Sequence, residues 1–168
     1  MALRIIVDGY NLIGSRAGLR GKLDSQRQQL LEQLQEYHQK KGYPITVVFD
    51  GWRSGWIYEV EERSGGITVI YSQRGEKADS VIERLAREIG EGCVVVSSDR
   101  EVRKAVEAHG AVAIYASEFI DKLRELNGDE ESQSSRGEGL TGLREGKRGN
   151  PRRFSRAERK RRGRLRKL

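Results

Sequence analysis

The sequence predicts an α/β fold: a three-layer sandwich around a central parallel sheet of five strands, followed by a flexible basic C-terminal tail. Five short runs rich in β-branched residues alternate with segments of helical periodicity, which is the pattern of β-α-β units. Most of these runs are continuously apolar, as expected of strands that helices cover on both faces. A sharp change of charge near the C-terminus separates this body from the tail.

Each strand and helix follows from its own periodicity. The predicted strands are Leu3–Val7, Ile45–Phe49, Ile67–Tyr71, Cys93–Ser97 and Val112–Tyr115. The predicted helices, with apolar side chains three and four residues apart, are Asp24–Lys41, Lys77–Ile89, Asp99–His109 and Ser117–Leu126. The segment Gly51–Gly66 has no helical pattern, so we expect a long loop or a hairpin extension there.

The distribution of charge divides the chain and indicates its partner. Residues 132–168 hold 14 Lys/Arg and 3 Asp/Glu, whereas residues 1–131 hold 18 Lys/Arg and 22 Asp/Glu. We therefore expect one domain at 1–127 and a flexible linker with a basic tail at 128–168. The tail carries too little apolar area to fold alone, although it could become helical when bound. An acidic body with a strongly basic tail predicts a polyanionic partner, RNA or DNA before a membrane.

Several classes of protein are excluded. The only cysteine, Cys93, can form no internal disulfide, and its apolar neighbours predict a buried, inert thiol. The N-terminus meets Asp8 too early for an apolar targeting segment, and no stretch approaches the roughly 18 apolar residues of a membrane span. We expect a cytoplasmic protein with no membrane attachment.

Carboxylates follow several of the predicted strands. Asp8 and Asp50 come directly after the first and second strands, and Asp99 follows the fourth after one serine. Parallel strands end at one edge of the sheet, and ligands bind in the crevice outside that edge. After the third strand, the chain enters a helix on which three acids share one face near its start. These acids are Glu76, Asp79 and Glu83.

Each carboxylate alone has an ordinary structural interpretation. An Asp-Gly pair after a strand is a common turn, and acids favour the first turn of a helix. Four acids at one edge are different, because like charges within about 4–6 Å repel one another unless a cation offsets them. Oxygen ligands with room for water predict Mg²⁺ or Mn²⁺.

Polar and basic residues complete the candidate site. Asn11, three residues after Asp8, could hold a phosphate oxygen or a water, or could simply stabilise the turn. Ser97 and Ser98 could bind phosphate or cap the next helix. The cleft is acidic, so contacts with RNA must come from basic and aromatic side chains elsewhere. The candidates are Tyr10, Trp52, Arg53, Arg74, Lys77 and the tail residues Arg152, Arg153, Arg156, Arg159, Lys160, Arg161 and Arg162.

Four motifs in this order resemble one known family. They are Ile5-Ile6-Val7-Asp8-Gly9-Tyr10-Asn11-Leu12-Ile13, then Val47-Val48-Phe49-Asp50-Gly51, then Tyr71-Ser72 with Glu76-Lys77-Ala78-Asp79-Ser80-Val81-Ile82-Glu83, then Val95-Val96-Ser97-Ser98-Asp99-Arg100-Glu101. Over about residues 3–127 the chain resembles the NYN domains of the PIN-like nuclease superfamily. The YacP-like branch, which includes a bacterial ribosome-associated mRNA endonuclease, is the most similar.

The resemblance implies a fold, an activity and a site. It implies a PIN-like sheet in the order 3-2-1-4-5 and cleavage of RNA with Mg²⁺ or Mn²⁺. The family's metal-binding positions fall on Asp8, Asp79 and Asp99, with Asn11 in the signature turn. Asp50 and Glu76 are nearby, and Glu83, Ser97 and Ser98 are further candidates for supporting roles. The implied substrate is mRNA, with the ribosome as a partner.

Two other functions compete with this hypothesis. The first is a non-catalytic RNA- or ribosome-binding module on the same fold, which the basic tail would equally serve. The second is another α/β enzyme with an aspartate after its first strand. A haloacid-dehalogenase-type phosphatase wants a second aspartate two residues later, where this chain has Tyr10. Dinucleotide binding is disfavoured, because no Gly-x-Gly-x-x-Gly run follows the first strand.

Overall fold

One mixed sheet forms the centre of the protein in the computed structural model, which describes residues 2–17, 22–51, 57–126, 128 and 154–168. The strands are β1 (Arg4–Asp8), β2 (Ile45–Phe49), β3 (Val60–Ser64), β4 (Ile67–Tyr71), β5 (Cys93–Val96) and β6 (Val112–Ile114). The α-helices are α1 (Gly9–Ala17), α2 (Leu23–Lys41), α3 (Ala78–Ile89), α4 (Arg100–Ala108), α5 (Ala116–Leu126) and α6 (Arg156–Leu165). A short 3₁₀ helix, Gly90–Gly92, leads into β5.

The α/β class is confirmed, but the expectation of five parallel strands is wrong. The described part of the sheet has six strands in the order β3-β4-β2-β1-β5-β6. The five expected strands pair in parallel, and β3 adds an antiparallel edge to β4. Gly65 and Gly66, with φ of 55° and 88°, make the tight turn of this hairpin. The sequence does not predict β3, because the exposed residues Glu61, Glu62 and Arg63 give this strand no apolar pattern.

Helices on both faces explain why the strands are continuously apolar. On one face, α1, α2 and α5 cover side chains such as Ile5 and Val7. On the other face, α3 and α4 cover Ile6 and its neighbours on β2, β4 and β5. Cys93 belongs to this second cluster, and burial raises the pKa of its thiol to about 12. Such a thiol is not ionised near neutral pH, as its sequence context predicts.

The segment after β1 is a helix, not the expected turn. Helix α1 begins at Gly9, immediately after Asp8, and buries Leu12 and Ile13 against the core. A Cβ atom on Gly9 would overlap the ring of Phe49, so only glycine allows this close approach of α1 to β2. The abrupt change from strand to helix fixes the direction in which Asp8 and Asn11 leave the sheet.

A flexible C-terminal tail is not confirmed. Residues 156–165 form α6, which packs along β6, and Leu168 is only 2% exposed. The buried Tyr37 hydroxyl donates a hydrogen bond to the Leu168 carbonyl at 2.8 Å, and the Tyr43 hydroxyl donates to the Lys167 carbonyl at 2.9 Å. Leu165 and Leu168 supply the apolar contact that the basic composition conceals. The expected linker lies largely outside the described residues, so the boundary after residue 127 stays a prediction.

In the ranges that the structure describes, no helix is long and apolar enough to cross a bilayer.

Candidate functional site

Four aspartates lie at the edge of the sheet where the parallel strands end. Asp8 is the last residue of β1, and Asp50 directly follows β2. Asp79 lies in the first turn of α3, which follows β4, and Asp99 lies just before α4, which follows β5. The topology therefore brings together side chains that are up to 91 residues apart in the sequence.

Asp8 is the most buried of these acids, with 8% of its surface exposed. The Ser97 hydroxyl donates to its Oδ2 at 3.1 Å, and the backbone N–H of Asn11 also donates to it. Burial raises the pKa of Asp8 to about 7, and the negative charges of Asp79 and Asp50 add to this rise. The two hydrogen bonds act in the opposite direction without overcoming the burial.

The same acids act on Asp79. Burial raises the pKa of its carboxyl, followed by repulsion from Asp99 and from Asp50, whereas Lys77 lowers it. The charge of Asp79 thus interacts with the charges of the other three aspartates. The four aspartates therefore lie at one edge of the sheet, and the charge of Asp79 repels that of each of the other three.

Asp50 and Asp99 have structural roles in addition to their charge. The Asp50 Oδ1 accepts a hydrogen bond from the backbone N–H of Ala78 at 2.6 Å, so it caps α3 from another strand. The Asp99 Oδ1 accepts from the backbone N–H groups of Glu101 at 2.8 Å and Val102 at 3.3 Å, as the N-cap of α4. These bonds fix the two carboxylates beside Asp79 and engage only one oxygen of each.

Asn11, Ser97 and Ser98 tie the rim of the site together. The Ser97 hydroxyl, besides bonding Asp8, accepts from the backbone N–H of Asp99 at 3.1 Å. The Asn11 Oδ1 accepts from the backbone N–H of Ser98 at 2.9 Å, joining α1 to the loop after β5. The Ser98 hydroxyl accepts from the Ala116 N–H at 3.1 Å, where α5 begins. These polar side chains are engaged in holding the acids and loops in place.

Glu76 and Glu83 form ion pairs with cations outside the aspartate group. Glu76 lies 3.8 Å from Arg84, which also contacts Glu59 at 2.6 Å. Glu83 lies 3.2 Å from the His109 Nε2 and 3.8 Å from Arg87. The charges with the largest effect on the pKa of Asp8 and Asp79 belong to other aspartates and to Lys77.

A stack of two arginines on a tyrosine, which the sequence did not indicate, lies beside Ser97. The Arg103 guanidinium stacks on the Tyr115 ring at 3.6 Å from its centroid, and Arg161 of α6 lies 5.4 Å from the same centroid. Arg103 also donates to the Ser97 carbonyl at 3.3 Å. Arg161 pairs with Glu118 at the start of α5. No local pattern links these residues, because they meet only when β6, α4 and α6 pack together.

The residues expected to contact RNA are in different environments. Tyr10 packs on Phe49 with ring centroids 4.9 Å apart, whereas Arg74 and Lys77 are exposed, and the charge of Lys77 acts on Asp79. On α6, Arg156, Arg159 and Lys160 are exposed. Arg161 instead points towards the body, and Arg162 stacks on the ring of Phe154 at 3.7 Å from its centroid. The remaining candidates, Trp52, Arg53, Arg152 and Arg153, lie outside the described residues.

The chemistry of the donors, rather than a preformed cluster, favours a hydrated divalent cation. Throughout the described ranges, no three His, Cys, Asp or Glu side chains form a group that could hold a metal by itself. Mg²⁺, however, commonly keeps several waters and uses one or two carboxylates together with substrate phosphates. The donors at this edge are carboxylate oxygens, which suit Mg²⁺ or Mn²⁺. Burial and, to a lesser extent, repulsion disfavour the charged forms of Asp8 and Asp79, and a bound cation would offset both effects.

Comparison with known proteins points to one family. The model of the YacP-like NYN domain matches residues 5–162, a range that includes most of α6. Two similar solved structures are crystal structures of Rae1 (YacP) from Bacillus subtilis. The first, a tryptophan-to-leucine variant, is 25% identical with a TM-score of 0.64, and the match covers 77% of this chain and 79% of that one. The second is 26% identical with a TM-score of 0.62, and the match covers 77% of each chain. No curated protein matches.

These similarities confirm the family that the four sequence motifs indicated. The match extends well beyond the expected residues 3–127, and the α/β fold agrees with it. From its motifs, its sheet and its match over most of its length, the chain belongs to the YacP-like NYN domain family.

Proposed function

We propose that this protein is a metal-dependent endoribonuclease that hydrolyses phosphodiester bonds of mRNA in association with the ribosome. One observation supports catalysis above all: Asp8 is buried among other acids, and its pKa is raised to about 7. Such an arrangement costs stability, and strongly perturbed acids gathered at a ligand-binding edge are typical of functional sites. Membership of a nuclease-type family and the basic α6 support an RNA substrate.

In this proposal, Asp8, Asp79 and Asp99 would hold Mg²⁺ or Mn²⁺. When bound, the cation would lower the pKa of water near neutral pH and neutralise charge on the phosphate. Water attacks the phosphorus while the bond to the 3′ oxygen breaks, and that oxygen takes up a proton. The products are a 5′-phosphate and a 3′-hydroxyl.

The remaining residues of the site position and protect this chemistry. Ser97 orients Asp8 through its hydroxyl, and Asn11 holds the loop that carries Ser98 and Asp99. Neither histidine supplies a base at this edge, because His38 bonds the Tyr43 carbonyl and His109 pairs with Glu83. The exposed Lys77, which lowers the pKa of Asp79, is placed to attract a phosphate.

A cleavage assay tests the assignment. Purified wild-type protein, Asp8→Asn and Asp79→Asn would be incubated with labelled mRNA in Mg²⁺, Mn²⁺ or EDTA, with and without translating ribosomes. We expect both variants to lose about 100-fold or more in cleavage rate, because each removes a charge that holds the cation. Asp121→Asn, an exposed acid on α5, is the matched control. Cleavage by Asp8→Asn at the wild-type rate would refute the catalytic proposal.

The basic α6 also favours a second candidate, a non-catalytic module that binds RNA or ribosomes. Binding of RNA or ribosomes alone does not require a group of acids that repel one another. It also needs no divalent cation. RNA binding that is equal in Mg²⁺ and EDTA, together with no cleavage on or off the ribosome, would favour the module. An mRNA or ribosome partner supports the proposal that the protein acts in the cytoplasm.

A further inference from the structure

A cationic groove lies between α5 and α6, apart from the aspartate edge. It holds an open, solvent-facing cavity of about 300 Å³, lined by Lys122 of α5 and by Arg162, Leu165 and Arg166 at the C-terminal end of α6. Arg162 and Arg166 are four residues apart, so both extend from the same side of α6. The docking of α6 therefore creates this cavity, which residues of neither helix could form alone.

The groove concentrates positive charge. Lys122 and Arg162 have acidic neighbours on their own helices, Glu125 at 3.6 Å and Glu158 at 3.8 Å. These ion pairs compensate part of the charge, but neither acid lines the cavity. Bringing three cations together opposes the docking of α6, and an anion in the groove would offset this repulsion.

The donors suit a phosphate group. A guanidinium presents a planar fork of N–H donors that matches two phosphate oxygens, and an ammonium adds a point charge. Leu165 adds an apolar side chain to the lining, against which a sugar can pack. Phosphodiester oxygens with an adjoining sugar match this combination of two arginines, one lysine and one leucine.

An aromatic ring adjoins the same groove. Arg162 stacks on Phe154, whose ring centroid is 3.7 Å from the guanidinium carbon, and Phe154 is 43% exposed. An exposed ring beside phosphate-binding cations is a stacking surface for an unpaired base. Bases in a duplex are already stacked on one another, so this ring favours a single strand.

The groove lies close enough to the aspartate edge to share one strand with it. Helix α5 begins at Ala116, whose N–H bonds Ser98 at that edge. Lys122 is six residues further along the helix, an axial rise of about 9 Å. A single strand that leaves the aspartates along α5 therefore reaches the groove after a short extension.

We propose that the groove of Lys122, Arg162 and Arg166 is an accessory site for a backbone phosphate of single-stranded RNA, with Phe154 stacking on an adjacent base. The proposal rests on RNA being the substrate, as proposed above. The site holds the strand next to the aspartates but takes no part in the chemistry.

The test compares two double variants in EDTA. Lys122→Gln/Arg166→Gln neutralises the groove, and Lys41→Gln/Arg124→Gln removes the same charges from exposed positions elsewhere on α2 and α5. Fluorescence anisotropy would follow binding of a labelled single-stranded RNA of about 12 nucleotides. We expect the groove variant to bind about 10-fold more weakly than the control. Its affinity should also depend less steeply on salt, by about 0.7 in the logarithmic slope for each phosphate that the variant no longer neutralises.

A third variant tests the aromatic part. Phe154→Leu should weaken binding of single-stranded RNA and leave binding of an RNA duplex of equal length unchanged. Equal affinity of the two double variants, or an equal reduction for single strand and duplex, would overturn the proposal. Thermal unfolding checks that α6 stays docked, and removing repulsion in the groove should not weaken that docking.

The RNA-binding test of the groove can succeed or fail independently of the cleavage test of the catalytic proposal. Binding in EDTA requires no cleavage, so the groove can fail while Asp8→Asn still abolishes activity. Conversely, an inactive wild-type protein whose single-strand binding depends on Lys122 and Arg166 would support the groove and refute the nuclease.

Discussion

At the scale of single residues, Asp8 shows a conflict between folding and function. Its carboxylate has only 8% of its surface exposed and lies close to Asp79 and Asp50, so the charged form is destabilised. Hydrogen bonds from the Ser97 hydroxyl and the Asn11 backbone N–H stabilise the charged form only in part. A position optimised for stability alone would hold a neutral side chain. Under the proposed function, the bound cation would stabilise the charged form and offset this cost.

This conflict predicts a pH dependence of stability. Because the folded-state pKa of Asp8 is raised from 3.8 to about 7, the folded protein retains a proton that the unfolded chain releases. Stability from Asp8 is therefore greatest at low pH and is lost as the pH rises through about 7. Asp8→Asn removes this loss.

Urea unfolding in EDTA would measure the effect. The advantage of Asp8→Asn over wild type should grow by roughly 2–3 kcal/mol between pH 5 and pH 8. Asp121→Asn, in which the replaced acid is exposed, should show no comparable trend. An advantage that stays constant with pH would mean that Asp8 titrates normally.

At the scale of elements, close packing at the start of α1 positions the site. Helix α1 begins directly at the end of β1 and lies so near β2 that no Cβ fits between Gly9 and Phe49. The direction of Asp8 and the hydrogen bond from the Ser98 N–H to Asn11 depend on this approach. The lack of a side chain at Gly9 thus allows α1 to pack against β2 in the position that directs Asp8 and Asn11.

Two glycines on α1 offer a matched comparison. Gly9→Ala would force Phe49 or α1 to move and should cost about 1–3 kcal/mol of unfolding free energy. Gly14→Ala, on the same helix with no atom within 4 Å of the added Cβ, should stabilise by about 0.5–1 kcal/mol. Chemical denaturation measures both changes. If Gly9→Ala is as stable as Gly14→Ala, α1 does not pack on Phe49 as described.

The docking of α6 gives a second prediction at this scale. Tyr37→Phe removes the donor to the Leu168 carbonyl and leaves that carbonyl unpaired in the core, at a cost of about 1–3 kcal/mol. Tyr43→Phe removes a similar bond to Lys167 at an exposed position and should cost less than about 0.5 kcal/mol. Hydrogen exchange should show faster exchange of the α6 amides in Tyr37→Phe only. Equal protection in both variants would contradict the docking role of Tyr37.

At the scale of the whole molecule, charge is divided between two surfaces. The aspartates form an acidic edge that repels a phosphate backbone. They come from β1, from α3 and from the segments that follow β2 and β5. Residues 154–168 carry eight Lys/Arg against one Glu, and α6 fixes them to the body. Under the proposed function, the basic surface holds the polyanion while the acidic edge binds the cation that cleavage requires.

Cation binding should therefore stabilise the entire protein. A ligand present at about 10 times its Kd adds roughly 1.4 kcal/mol, provided that it binds only the folded state. Thermal unfolding at pH 8 should show a higher Tm in Mg²⁺ than in EDTA for wild type, and no such gain for Asp8→Asn. An equal gain in both proteins would place the cation elsewhere.

The sequence was sufficient to predict the elements whose signals are local. Continuous apolar runs marked five strands, and periodic stripes marked α2, α3, α4 and α5 to within one residue at each end. The strand ends also predicted that the aspartates lie at one edge of the sheet, since parallel strands carry the residues that follow them to that edge. These features depend on the order of residues along the chain and on the regular geometry of sheets.

Only the tertiary structure decided the rest. The charged β3 joins the sheet because β4 offers an edge to pair with, and α6 is ordered because Tyr37 and the core receive Leu168. The stack of Arg103, Tyr115 and Arg161 unites three elements, and the pKa of Asp8 depends on burial by neighbours far away in sequence. Burial, desolvation and contacts between distant residues arise from packing in space, and no local pattern records them.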